Sequence, residues 1–219
     1  MTYIIKNKFK TLLGESANQN KLILLDVDDT ILKPSQIYIY RALPTDNTEV
    51  KLTPAEYAEE DVTDETKKYY DYRDFLDPQK IKRSISTAEP IVANLQIMDD
   101  LLRRGYKVGI LTARSSEDFV YRGLKDWLMF RNKKGDLIPI GDSLERENVF
   151  AVNDTKRVQG LKGTTDYEKK AEVVKSLLDV YDEILFIDDD TKNIKEMRRL
   201  KNSLPKELNN KLFVKHALY

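Results

Sequence analysis

The chain has 219 residues, 41% of them hydrophobic, a length and core fraction that suit one domain carrying a modest insertion. Its 37 basic and 37 acidic side chains balance, and nothing in that total points to a chain held on nucleic acid or lipid by bulk electrostatics. With no cysteine and one histidine, His216, a disulfide scaffold, a thiolate nucleophile, a cysteine-rich zinc site and an iron–sulfur cluster are excluded, and acids, bases and metal ligands are expected among carboxylates.

The opening segment MTYIIKNKFKTLLGES lacks the long apolar stretch and small-residue cleavage site of a secretory leader, so a cytoplasmic location is expected. No run approaches about 18 apolar residues, so no membrane span is expected either. Residues 22–25, LILL, form a short apolar run of the kind that makes a buried parallel strand. A helix is predicted over 88–104, with Ile91, Leu95, Met98 and Leu102 near helical spacing, Pro90 in its first turn and Gly105 as its stop. It feeds a second apolar strand over 106–111. Ser115 and Asp118 fit a capping box for a helix reaching about residue 130, with Phe119, Trp127 and Leu128 facing inward. A short strand follows at 149–152, then a helix over 167–180 with Val173, Val174, Leu177 and Leu178 inward. A strand at 183–187, a basic helix at 191–203 and a last strand at 211–214 complete the series. Helices alternating with apolar strands predict an α/β fold, a Rossmann-like three-layer parallel sheet with helices on both faces.

Residues 35–87 break the rhythm. Ten acidic and five basic residues lie between Glu49 and Lys80, among them Tyr57, Tyr69, Tyr70 and Tyr72, with Pro44, Pro54 and Pro78 as punctuation. The tyrosines favour a small folded insertion over disorder. The expected organisation is therefore a core of residues 1–34 and 88–219 with a cap or substrate-selecting insertion at 35–87. Shorter excursions occupy about 131–148 and 153–166, the latter with Gly160 and Gly163 in a loop.

Ligands of an open parallel sheet bind outside the carboxyl ends of its strands. Three apolar strands here end in reactive residues: Asp26-Val27-Asp28-Asp29-Thr30, Thr112-Ala113-Arg114-Ser115 and Asp188-Asp189-Asp190-Thr191. The helix that precedes the third brings Lys169 and Lys170. Carboxylates that converge without a cation raise one another's pKa, and all-oxygen ligation suits Mg²⁺. A threonine hydroxyl, backbone N–H groups and a lysine then supply the donors a phosphoryl group needs. Of the two lysines Lys170 is preferred, because Val173 and Val174 fall three and four positions on. A calcium loop counted from Asp26 fails, with Ile31 where glycine is needed and Ile37 where glutamate is needed.

DVDDT at 26–30 resembles the first motif of the haloacid dehalogenase (HAD) superfamily, and LTAR at 111–114 resembles its second. Lys170 is similar to the third-motif lysine, and IDDD at 187–190 to the acidic fourth motif. The resemblance implies an Mg²⁺-dependent phosphatase. In it Asp26 attacks phosphorus to form an aspartyl-phosphate, and Asp28 protonates the leaving oxygen and then deprotonates the hydrolytic water. Thr112 would bond the phosphoryl oxygens, and Lys170 would neutralise charge and hold Asp26. Mg²⁺ would be held by Asp26, the backbone carbonyl of Asp28 and Asp188, and Asp189 would orient a metal-bound water or join the shell directly. Thr30 would fix the first loop, and with Arg114 and Lys169 it would border the substrate; Arg114 reads equally as one side of a structural salt bridge. Asp29 stands where many relatives have glycine.

Within that family LTAR and IDDDT also look similar to small nucleotidases and to the 3′-phosphatase module of polynucleotide kinase-phosphatases; no GxxxxGK[ST] kinase loop occurs. The implied substrate is a nucleotide or other small phosphate ester, with the 3′-phosphate of a nucleic-acid end as the alternative. Seven basic side chains between residues 195 and 215 could meet a nucleic-acid backbone, but cations near a helix C-terminus are favourable by dipole logic alone. A non-catalytic phosphate sensor or phosphoacceptor module is the reading of another class. Its acidic pair would precede the phosphorylated strand, whereas here the DxD element comes first.

Overall fold

Chain order in the computed structural model gives strands β1 (Lys21–Leu25), β2 (Leu32–Lys33), β3 (Ile39–Ala42) and β4 (Glu49–Leu52), then helix α1 (Pro54–Ala58) and β5 (Tyr70–Asp71). Helices α2 (Arg73–Leu76) and α3 (Pro78–Ser86), β6 (Glu89–Pro90), α4 (Val92–Leu102), β7 (Tyr106–Thr112) and α5 (Glu117–Trp127) follow. The rest is β8 (Met129–Arg131), β9 (Leu137–Pro139), β10 (Leu144–Ala151), α6 (Asp166–Leu177), β11 (Glu183–Asp188), α7 (Thr191–Ser203), α8 (Lys206–Asn209) and β12 (Leu212–His216). The structure describes residues 20–218 apart from 35, 44–47, 61, 64, 128 and 157. The segment read for a leader, Pro44 and Leu128 therefore lie outside the described residues, as does the side chain of Trp127.

Five strands form one parallel sheet in the order β10-β7-β1-β11-β12. Alternation along β1 decides the layers, since successive side chains of a strand point to opposite faces. Ile23 and Leu25 join an apolar cluster with Ile81 and Ile85 of α3, Leu95 and Met98 of α4, and Val120 and Leu124 of α5. Leu22 and Leu24 join the other, with Val173, Val174 and Leu177 of α6 and Ile194 and Met197 of α7. A strand buried on both faces has to be apolar throughout, which is why LILL reads as a continuous run. The result is a Rossmann-like α/β sheet with helices on both sides and extra elements. Among the described residues no helix is long and apolar enough to cross a membrane.

The expected elements form, with shifted ends. The helix predicted over 88–104 begins at Val92, because Glu89 and Pro90 pair with Lys33 and Leu32 in an antiparallel ribbon. The capping box of Ser115 and Asp118 does not form. Ser116, one residue later, offers its carbonyl to Val120 N–H. Ser115 instead donates to the Phe75 carbonyl, and Asp118 pairs with Arg122 and Arg146. The buried face of α5 is Val120 and Leu124, with Phe119 partly covered. Residues 129–139 form a hairpin, β8 with β9.

The segment expected as an insertion, residues 35–87, holds the antiparallel sheet β4-β3-β5 together with α1, α2 and α3. Three of its tyrosines pack together: Tyr57 meets Tyr70 and Tyr72 edge-on at 5.3 and 5.6 Å, and the hydroxyls of Tyr57 and Tyr72 are 2.6 Å apart. Its last helix is part of the core. Ile81 and Ile85 are buried, and Ile85 lies so close to Gly123 of α5 that a Cβ there would sit 2.9 Å from its side chain.

Candidate active site

Register brings the acids together. Leu25 pairs with Ile187 on one side and Ile110 on the other, so β1, β11 and β7 end side by side. Beyond β1 the chain turns at once. Ile31 N–H and Leu32 N–H both donate to the Val27 carbonyl, and Asp29 N–H donates to that of Leu32 at 2.8 Å. The turn puts Asp29 in the left-handed region at φ 54°, which glycine adopts freely and aspartate more readily than most side chains.

Lys170 lies at the centre. Its buried ammonium donates to Asp26 at 2.9 Å and to Asp188 at 2.8 Å. Asp188, fully buried, also accepts from the Asn193 amide through both oxygens and from Asp190 N–H. Thr30 ties the first turn to the end of β11: its hydroxyl donates to Asp189 Oδ1 at 2.9 Å and accepts from Asp189 N–H at 3.0 Å. Asn94 of α4, also buried, donates to the Thr30 carbonyl. Thr112 closes β7 with its hydroxyl accepting from Arg114 N–H, which leaves the hydroxyl proton to be donated.

Two residues read as substrate contacts are occupied by protein partners. Arg114 is 1% exposed and forks onto Asp28, with Nη2 to Oδ1 at 2.6 Å and Nε to Oδ2 at 2.9 Å. Thr30 is 0% exposed and belongs to Asp189. Lys169 points away from the acids. It donates to Asn153 Oδ1 at 2.6 Å, while the Asn153 amide holds the Ala113 carbonyl. Lys170 thus enters the acidic cluster and Lys169 borders the end of β7. Asn193, Asn153 and Asn94 were not singled out by the sequence reading. Only Asn193 left a signal, on the first turns of a helix that starts at an acidic strand end.

Charge in the site is out of balance. Four carboxylates, Asp26, Asp28, Asp188 and Asp189, stand around two cations, Lys170 and Arg114. Burial pushes the Asp26 carboxyl well above the usual range; Lys170 pulls it down, and Asp188, Asp189 and Asp28 push it up again. Burial, then Asp188, raise Asp189 to about 7 against the hydroxyl of Thr30. Burial opposes the charge on Lys170, but Asp188 and Asp26 outweigh it and hold that ammonium above its ordinary value. Asp26, Asp188 and Asp189 each offer an oxygen within 4.8 Å of the others. An oxygen-only donor set with surplus negative charge fits a hard divalent cation and gives a soft metal no nitrogen or sulfur ligand.

Fold and site define an α/β domain with a buried tri-aspartate cluster able to take a divalent metal. The chain belongs to the family described as "Protein of unknown function (DUF2608)", whose model matches residues 5–204. Compared with curated proteins and with solved structures, it finds no match in either.

Proposed function

We propose that the chain is an Mg²⁺-dependent phosphomonoesterase of the haloacid dehalogenase type, working through an aspartyl-phosphate on Asp26. The observation that carries this reading is the Lys170 ammonium held between Asp26 and Asp188 in a buried site at the carboxyl edge of the sheet. A lysine there keeps one Asp26 oxygen fixed and adds positive charge where a phosphoryl group would gather negative charge. Asp26 attacks phosphorus as the ester oxygen leaves with a proton from Asp28. Asp28 then takes a proton from the water that releases phosphate and restores Asp26. Thr112 donates its hydroxyl proton to a phosphoryl oxygen. Asp26, Asp188, Asp189 and the Asp28 backbone carbonyl would hold Mg²⁺, which supplies when bound a counter-charge for those same oxygens.

A small ester, such as a nucleotide, is favoured over a polynucleotide end. Three of the insertion's cations pair with its own acids, Arg41 with Glu60, Arg73 with Glu49 and Lys80 with Asp74, and Arg199 of α7 pairs with Glu196. The test is phosphate release from nucleotides, small phosphate esters and 3′-phosphorylated oligonucleotides, with Mg²⁺ or with chelator. Mg²⁺-dependent release, abolished in Asp26→Asn, is expected. No release from any member by folded, Mg²⁺-loaded protein would overturn the reading.

A further inference from the structure

The fork between Arg114 and Asp28 is one half of a larger linkage. The other side of the guanidinium reaches into the insertion, where Nη1 donates to the Ile81 carbonyl at 3.2 Å and to the Ser84 hydroxyl at 2.9 Å. Ser84 is itself buried and donates to the same carbonyl at 2.8 Å. Four of the five guanidinium N–H groups are therefore committed, two to Asp28 and two to α3. Next door, the Ser115 hydroxyl holds the Phe75 carbonyl of α2, so the end of β7 is fastened to the insertion twice.

Asp28 has a side chain 18% exposed at the edge of the pocket. A carboxylate there would rotate freely about its last bond without a second anchor. Two parallel N–H···O bonds from a planar fork fix that plane, which a lysine, as a point charge, does not do. The fork uses one lone pair on each oxygen and leaves another on each for a proton. Arg114 has no exposed surface with which to meet a substrate, so its effect has to pass through Asp28.

We infer that Arg114 is a positioning residue for proton transfer, set from the insertion: Ile81 and Ser84 orient the guanidinium, and the guanidinium aims Asp28. This rests on the reading of Asp28 as acid and base in ester cleavage. In the first half-reaction an Asp26 oxygen bonds to phosphorus and the bond from phosphorus to the ester oxygen breaks. Its electron pair stays on that oxygen, which collects the proton of Asp28. In the second, water bonds to phosphorus, gives its proton to Asp28, and the bond from phosphorus to Asp26 breaks. The insertion thereby governs the chemistry without touching the phosphate.

Leaving groups separate this role from simple scaffolding. An alkoxide leaves poorly without a proton, whereas 4-nitrophenolate leaves without one. The experiment measures kcat/KM, which reports the first half-reaction, for glycerol 2-phosphate and 4-nitrophenyl phosphate with full-length wild type, Arg114→Lys and Ser84→Ala in saturating Mg²⁺. Arg114→Lys is expected to lose about 100-fold on the alkyl ester and under about 10-fold on the aryl ester, in line with the usual worth of a positioned acid. It should also release 4-nitrophenol in a burst, because the base-assisted second half is slowed. Ser84→Ala, which removes only a hydroxyl and serves if Arg114→Lys does not fold, should lose less in the same direction. Equal losses on the two esters, or none, would overturn the positioning role while wild-type turnover left the phosphatase reading standing. A wild type that hydrolyses neither ester, nor any of the panel above, would remove both.

Discussion

Lys170 meets a demand that Asp26 and Asp188 create. Two carboxylates converge in this dry place, and a single ammonium within 2.9 Å of each is the counter-charge they share. Replacing it by methionine keeps the volume and removes the charge. Loss of one partner from a buried ionic set costs about 3–5 kcal/mol, because the other charges stay behind. Lys170→Met is therefore expected to lower the unfolding free energy of the metal-free protein by about that amount. Mg²⁺ should return part of the loss, since it supplies charge to the same two carboxylates. Phosphate release should fall with it. Urea unfolding with and without Mg²⁺ checks this; equal stability of the variant and wild type in chelator would mean that Asp26 and Asp188 do not depend on the ammonium.

Elements explain why that ammonium arrives where it does, and how far the sequence foretold it. Helix α6 opens on a full capping box, the Thr165 hydroxyl accepting from Glu168 N–H and the Glu168 carboxylate accepting from Thr165 N–H. The loop ahead of it lies close. A Cβ on Gly163 would come within 2.8 Å of both the Glu168 Cβ and the Lys169 backbone nitrogen, one residue from Lys170. Gly163→Ala should thus push the loop off the first turn, costing about 1–3 kcal/mol in urea unfolding and slowing phosphate release; a variant as stable and active as wild type would show that the loop has room to give. Strands and motifs were legible because their signals are local: LILL and ILFI are apolar runs, and acids follow each directly. The contacts that assign side chains are not local. Asp28 and Arg114 are 86 residues apart, and nothing near either one announces the other, so the sequence leaves Arg114 between a substrate contact and a structural salt bridge, and the fold supplies Asp28 as its partner. The capping box of Ser115 and Asp118 is absent for a related reason, the two side chains being engaged by partners distant in sequence, Phe75 and Arg146. The insertion is legible as an interruption, but the packing of Ile81 and Ile85 against the sheet's helices is a property of the fold.

At the scale of the molecule, a formal charge of zero conceals an acidic centre whose protonation is coupled to folding. Burial raises Asp189 from an ordinary carboxylate value to about 7, so the folded chain binds that proton more tightly than the unfolded chain does. The sign follows from linkage. The stability contributed by this proton is complete below the unfolded pKa and is lost as pH rises through about 7. Asp26, also raised, acts in the same direction. Mg²⁺ binds the deprotonated set and competes with the same protons, while any ligand that prefers the folded state stabilises it by mass action. The gain in melting temperature from excess Mg²⁺ over chelator should therefore be larger at about pH 8 than at about pH 5.5, where protons must first be displaced. Asp189→Asn takes away the group that titrates near neutrality, so in that variant the difference between the two pH values should shrink. Thermal denaturation at constant ionic strength decides it. A gain that is flat with pH in wild type, or that grows as the solution is acidified, would mean that Mg²⁺ binds somewhere other than these carboxylates.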